Sequence, residues 1–333
     1  MSKHTKRMAV TLPAGPRWSD TLDRVQWAEA NGYPDAWWGE SIAPDALTTT
    51  AALGALTEKI RVGIAISSVY ARTPAVFAST ANALEQIMPG RFVLGLGSSS
   101  PGMVEGWHGQ KFEKPLSRVK ETTLAIKSML SGKKSNVDGT TIQSHGYRQM
   151  GMEKQPPIYM AALRSKMIEA AAEVGDGVIF NLWPKSALPK MMEHVKIGAE
   201  RAGKSVEDVE IVNRAMVLVT DDKAEARDRF RASFGPYYAT TVYNNFLGWA
   251  GFEEAAATIL EGWAEKDRKK TGAALTDDLI DEIAIIGSAE ECQERIRSDA
   301  AGGVDTHIIA PQTADPAETR RTFDAFTGDA FSF

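Results

Sequence analysis

The residue types that carry catalysis are sparse in this chain, and their spacing excludes several schemes. Five histidines occur, His4, His108, His145, His194 and His307, and no two form an HxH or HExxH pair. Hydrolytic metal centres need imidazoles at such spacings, so no metal is expected. The one cysteine, Cys292, excludes an internal disulfide and a cysteine-rich zinc site. His307 lies within the apolar run 306–310 and reads as a packed core residue. A serine nucleophile would best be sought at Gly97-Ser98-Ser99-Ser100-Pro101. The nucleophile elbow G-x-S-x-G needs glycine where Pro101 stands, so these hydroxyls read as neutral hydrogen-bonding groups. The dinucleotide fingerprint also falls short at Gly95-Leu96-Gly97-Ser98-Ser99-Ser100, where Ser100 replaces the third glycine. Two glycines at a strand end still mean that the backbone approaches something closely, either a flat ligand or a neighbouring strand.

These residues are positioned by a regular series of elements. Eight short apolar runs read as buried strands: 8–12, 36–38, 62–66, 92–96, 158–162, 178–182, 211–219 and 306–310. Helical patterns lie between them. One at 19–30 opens on Ser-Asp and stops at Asn31-Gly32, and another at 74–88 opens on proline and stops at Pro89-Gly90. Others run to Gly175 and to Gly302-Gly303. Two intervals are too long for one helix. The first holds a helix near 112–130 and a turn signal at Asp138-Gly139. The second, 221–286, is helical in composition. Eight strands with helical crossovers predict a closed (β/α)8 TIM barrel spanning 1–333 as one domain, with insertions after strands 4 and 7. An open doubly wound sheet in two domains is the alternative, but no Pro/Ser-rich linker separates two halves.

A barrel of this kind keeps its chemistry at the C-terminal ends of its strands. There Gly39, Ala65, Gly97, Ala161 and Ala162 leave space, and the serines offer neutral hydrogen bonds. Trp107 and Trp183 are expected to line a substrate pocket there. Of Trp37 and Trp38, adjacent in one strand, at least one belongs to the core because they point to opposite faces. Arg164 and Ser165 open a helix whose free N–H groups favour an anion. Such a site suits a large planar cofactor carrying a phosphate.

At these residues the sequence resembles the luciferase-like monooxygenase superfamily, and within it the branch that uses the deazaflavin coenzyme F420. The resemblance rests on Asp35-Ala36-Trp37-Trp38-Gly39-Glu40-Ser41, on Ile66 through Pro74, and on Pro89-Gly90-Arg91-Phe92-Val93-Leu94-Gly95-Leu96-Gly97-Ser98. Pro157 through Ala162, Gly175-Asp176-Gly177-Val178 and Gly287 through Asp305 extend it over nearly the whole chain. It implies a luciferase-like TIM barrel, a homodimer, and a ring bound over the barrel mouth. It further implies a non-prolyl cis peptide at Ala65–Ile66 behind the ring. Ser67 and Ser68 would follow beside the ring, with Gly97, Ser98, Ser99 and Ser100 at its edge or tail. Ala161, Ala162, Leu163, Arg164 and Ser165 would hold the phosphate.

The chain departs from the best-known members of that branch. The F420-dependent sugar-phosphate and alcohol dehydrogenases carry Asp-His after strand two, where this chain has Glu40-Ser41, and a glutamate after strand four, where it has Ser100. Their substrates are therefore not expected. Glu40 is either a proton carrier with a burial-raised pKa or a hydrogen-bond partner for the cofactor or a loop. His108 is the other acid–base candidate, against a surface reading. The leading function is an F420-dependent oxidoreductase transferring a hydride between the deazaflavin and a small organic substrate. The alternatives are a monooxygenase using reduced flavin mononucleotide (FMN) and oxygen, and a non-catalytic flavin-binding barrel. A separate flavin or F420 reductase would supply reduced cofactor. The aromatic group Phe234, Tyr237, Tyr238, Tyr243, Phe246 and Trp249 in the second insertion fits either a lid over an apolar substrate or a dimer interface.

Composition sets the remaining bounds. The 333 residues carry a formal charge of −5, which speaks against nucleic acid as a partner. No apolar run reaches the roughly 18 residues of a membrane span. A basic start cut off by Pro13 is too short for a secretory signal core, so residues 1–6 are expected to be a flexible tail and the location cytoplasmic.

Overall fold

The computed structural model describes residues 3–13, 17–40 and 44–333. The first half alternates strands and helices: β1 (Arg7–Thr11), α1 (Trp18–Ala30), β2 (Asp35–Trp38), α2 (Ala46–Ala55), β3 (Arg61–Ile64), β4 (Ser67–Ser68), α3 (Pro74–Ile87) and β5 (Phe92–Gly97). The first insertion follows, with α4 (Pro101–His108), α5 (Pro115–Leu130) and an antiparallel hairpin of β6 (Asn136–Asp138) and β7 (Gln143–His145). The alternation resumes with β8 (Ile158–Ala161), α6 (Ser165–Val174), β9 (Gly177–Asn181), α7 (Leu188–Arg201) and β10 (Glu210–Val219). The second insertion holds α8 (Lys223–Tyr238), α9 (Thr241–Trp249), α10 (Glu253–Ala264), α11 (Arg268–Ala274) and α12 (Asp277–Ile283). The chain then runs through β11 (Ala284–Gly287), α13 (Ala289–Ala301), β12 (Thr306–Pro311) and α14 (Pro316–Asp324).

The parallel pairings close a ring. In order they run β1, β2, β3 with β4, β5, β8, β9, β10, β12 and back to β1. This is the expected eight-staved barrel, with insertions after the fourth and seventh staves. Two details differ from expectation. The third stave, expected as one strand, is split into β3 and β4, and the Ala65–Ile66 peptide between them is cis, as the resemblance implied. The end of the second insertion, expected to be helical, is the strand β11. It extends the edge of β10 that β9 occupies lower down, because β12 already fills the other edge.

The strands twist into two layers of side chains. Ala9, Trp37, Val93, Tyr159, Ile179, Val212 and Ile308 fill the barrel interior. Gly63 leaves room for this layer, since a Cβ there would lie 2.3 Å from the Trp37 ring. The alternate residues pack against the helices. Trp38, one position on from Trp37, is buried outside the barrel and donates to Thr50. His307 is buried on that outer side and stacks on Phe333, and burial pulls its pKa down to about 3. It is the packed histidine that its position in the strand indicated. Capping matches the sequence signals at two helices, where Thr73 caps α3 ahead of Pro74 and Ser288 and Glu291 form a capping box on α13; α1, expected to open on Ser19-Asp20, starts at Trp18 after Arg17 with no side-chain cap. Of the expected tail, residues 3–6 are described, and the Lys6 ammonium donates to Val304 O (2.8 Å) and Asp305 (2.9 Å). No described helix is long and apolar enough to cross a membrane.

Candidate active site at the barrel mouth

The strand register sorts inward-facing residues by height. At the N-terminal end, the Arg61 guanidinium is held by Asp35 (2.5 Å) and Glu210 (2.7 Å), with Tyr159, Thr306 and Arg7 around them. This charged plug closes that end, so the opposite mouth is the place for a ligand. There the inward positions are small. Gly95 lies against the neighbouring strand, since a Cβ would meet Ile64 O at 1.8 Å. A Cβ on Gly97 would lie 2.8 Å from the Ile66 side chain and 3.4 Å from that of Ala161. Ala65, Ile66 and Ala161 are only partly buried and cap the interior layer. Space at the mouth is therefore set by a floor of Ala65, Ile66, Gly97 and Ala161.

The hydroxyls divide into two groups. Ser67 is fully buried and donates to Glu40, and Ser68 is buried and accepts from the Tyr70 amide at 3.3 Å. Ser98, Ser99 and Ser100 are half-buried after β5, and their internal contacts are all long, at 3.4–3.5 Å. Ser99 has a positive φ of 61°, an uncommon backbone for a non-glycine residue. Ser100 caps α4. Ser98 and Ser99 can turn to a ligand, and Ser100 can still donate to one while it caps α4, whereas Ser67 and Ser68 chiefly hold the strand ends.

Glu40 accepts two hydrogen bonds from Arg72, at 2.5 and 2.6 Å, and one from Ser67. Arg72 also pairs with Asp45. Its hydrogen bonds to Glu40 raise the Arg72 pKa. Ser41, expected beside Glu40, lies outside the described residues.

After β8, Ala162 is buried, Leu163 is half-buried and Arg164 is exposed. Arg164 stands at the start of α6, which no side chain caps. The first N–H groups of that helix therefore point outward with no intrahelical partner. Ser165 follows as its first residue. The two tryptophans expected in a pocket lie elsewhere: Trp107 is 53% exposed on α4, and Trp183 is buried with its indole donating to Asn213 at 2.7 Å. Asn213 alternates with the inward Val212, so Trp183 belongs to the layer outside β10. His108 ends α4 on the surface, about 10 Å along the helix from Pro101 at 1.5 Å per residue.

Of the aromatic group in the second insertion, Phe234, Tyr238 and Phe246 are fully buried core. Tyr243 alone among them contacts a mouth side chain by a hydrogen bond, accepting from Asn181 at 2.8 Å. Arg214, on the inward face of β10, also reaches the mouth. It was not singled out from the sequence, although a lone arginine in the run Ile211–Val219 shares its strand face with Val212 and Met216 and so had a readable signal.

A closed parallel barrel with a charged plug at one end and a small-residue, hydroxyl-lined mouth at the other defines a cofactor-binding barrel enzyme. The chain belongs to the luciferase-like monooxygenase family, which it matches over residues 2–306. It is 29% identical over 292 residues to the 5,10-methylenetetrahydromethanopterin reductase of Methanolobus tindarius, covering 87% of this chain and 89% of that one. It is 26% identical over 314 residues to a putative coenzyme F420-dependent oxidoreductase of Mycobacterium tuberculosis, covering 87% and 90%. Its fold matches the coenzyme F420 dependent tetrahydromethanopterin reductase of Methanopyrus kandleri with a TM-score of 0.79 over 96% of each chain, at 19% identity.

Proposed function

We propose that this chain is a coenzyme F420-dependent oxidoreductase that moves a hydride between the deazaflavin and an organic substrate. The observation that carries the reading is the match, over 87% of the chain, to a relative named as F420-dependent. The residues at the mouth fit the group. The floor of Ala65, Ile66, Gly97 and Ala161 leaves room for a flat ring, and Ser98, Ser99 and Ser100 present hydroxyls at its rim. The uncapped start of α6, with Ala161 through Ser165 and the exposed Arg164, would hold a phosphate by free N–H groups and a guanidinium.

When bound, the deazaflavin supplies the hydride-carrying carbon of its ring. The chain's own work is to bind and orient. Glu40 acts as a positioning residue: it holds Arg72 and Ser67, and its backbone N–H donates to Ile66 O at 3.2 Å, so it fixes the bulge beneath the ring site. His108 and Trp107, exposed on α4, can act only on a ligand that extends over that helix, and Trp183 acts from behind β10. We further propose a homodimer working in the cytoplasm, with reduced cofactor supplied by a separate reductase. Light scattering on the purified protein tests the dimer.

The alternative is an FMN-dependent monooxygenase, favoured by the monooxygenases that name the family. Titration of ligand-free protein with F420 and with FMN, followed by fluorescence quenching, decides between them. Tight binding of F420 alone is expected. Tight binding of FMN alone would overturn the reading in favour of oxygen chemistry, and binding of neither would remove both.

A further inference from the structure

We propose that Arg214 is a substrate-recognition residue and that the organic substrate carries a carboxylate that docks on it. The inference rests on the hydride-transfer reading and adds the chemical class of the substrate. Val212 belongs to the interior layer, so Arg214, two residues on, shares its face and stands nearer the mouth. Its nearest partners are neutral and distant: Nη1 lies 3.4 Å from Asn181 Oδ1 and 3.5 Å from Met216 Sδ. No carboxylate pairs with it among the described residues, and the undescribed residues include no aspartate or glutamate.

Three other partly buried arginines show the contrast. Arg61 is held by two carboxylates, and Arg72 by Glu40 and Asp45. Arg91 donates to the carbonyls of Gly54, Thr57 and Ile60. Arg214 alone of these four has neither counter-charge nor backbone carbonyl, only the long contacts to the Asn181 amide oxygen and the Met216 sulfur. Burial pulls its pKa down, as it does for a cation whose solvation is not replaced. A desolvated guanidinium without a partner is costly, and an oxyanion that arrives with the ligand repays the cost by a two-pronged, charge-assisted contact. A planar guanidinium fork matches a carboxylate in shape as well as charge.

The surroundings point to the body of that ligand. Tyr243 lies beside Asn181, and its ring packs edge-on against Tyr237 and Tyr238. Gln312, after β12, reaches Met216 at 3.4 Å. An aromatic or apolar acid suits walls of this kind. The cofactor's own phosphate is assigned to the start of α6, after β8, two staves away from β10, so the anion at Arg214 belongs to the substrate.

The test is equilibrium binding of benzoate and phenylacetate, each against its neutral amide, to the full chain loaded with the cofactor found by titration. Wild type is expected to bind the acids at least tenfold more tightly than the amides. R214M and R214Q should abolish that preference, R214K should retain part of it, and cofactor affinity should stay within twofold in all three. R214Q, checked by circular dichroism, guards against a folding defect in R214M. Absence of any acid preference in wild type, or its survival in R214M and R214Q, would overturn the proposal. A tenfold loss of cofactor affinity in those variants would also overturn it, by giving the arginine to the cofactor. Failure of the F420 reading appears separately, in the cofactor titration made without any acid.

Discussion

At Glu40 the two carboxylate oxygens accept from Arg72 and Ser67, an arrangement that supports a positioning role over that of a proton carrier. A general acid needs a proton it can release toward the substrate. A carboxylate held on both oxygens by a guanidinium and a hydroxyl instead orders its neighbours. Glu40→Gln is therefore expected to lower kcat by less than about tenfold and to leave the shape of its pH profile unchanged, since general acid–base catalysis is worth about a hundredfold or more. Loss of one limb of the profile, with a hundredfold fall in kcat, would make Glu40 the acid. The residue types at the mouth were readable beforehand, including the serine run and the start of α6. The partners of each side chain were not. Nothing in the run Ile211–Val219 says whether a counter-charge faces Arg214, because that depends on β9 and on helices more than twenty residues further on. Trp183 shows the same gap in the other direction: it follows a strand that ends at the mouth, yet its indole turns outward to Asn213.

Elements were legible where periodicity and stop signals coincide. The eight staves lie where the apolar runs place them, because parallel barrel strands are buried on both faces and read as continuous apolar segments. The split of the third stave left no such trace, since Val62 through Ile66 is apolar throughout. The strand β11 was hidden for a related reason: four residues after a helical stretch carry too little periodicity to stand out. The two glycines of β5 left open whether a ligand or a strand crowds them, and the structure separates them. A Cβ on Gly95 would lie 1.8 Å from the Ile64 carbonyl oxygen, which is backbone and cannot swing away. A Cβ on Gly97 would press on Ile66 Cδ1 at 2.8 Å, the end of a side chain that can turn. Gly95→Ala is accordingly expected to cost about 3 kcal/mol or more, and Gly97→Ala about 1 kcal/mol, within the range for overpacked cores. Urea unfolding checks this. In addition, Gly97→Ala should weaken cofactor binding because Ile66 would be displaced into the floor of the mouth. Equal stability losses in the two variants would show that β3 and β5 are less closely apposed than described.

Across the whole molecule, the two ends of the barrel treat charge in opposite ways. Arg214 at the mouth has no counter-ion among the described residues, whereas Arg61 at the base is enclosed by Asp35 and Glu210, with Tyr159 and Thr306 donating to Glu210. Six staves meet in that plug: β1 through Arg7, β2 through Asp35, β3 through Arg61, β8 through Tyr159, β10 through Glu210 and β12 through Thr306. It therefore ties the first half of the barrel to the second, and its failure should loosen the ring as a unit. Burial alone would raise the Glu210 pKa, but hydrogen bonds and charge from Arg61 outweigh it and bring the group down to about 2, from an ordinary 4.5. Above pH 4.5 both the folded and unfolded forms carry the ionised group, and the stabilisation is complete. Between 4.5 and 2 the unfolded chain binds a proton that the folded chain refuses, so stability falls as pH falls. At about 1.4 kcal/mol per pH unit, the contribution lost over that window is on the order of 3 kcal/mol. Glu210→Gln leaves Arg61 with Asp35 alone, and the expected cost at pH 7 is about 3 kcal/mol, the lower end for breaking a buried pair. Urea unfolding of both proteins at pH 7 and pH 3 measures the difference. It should be largest at pH 7 and shrink at pH 3, because wild type gives up its advantage there while the amide has none to lose. A difference that is small at pH 7, or that stays constant across the window, would mean that Asp35 alone neutralises Arg61 and that Glu210 adds nothing to the closure of the barrel.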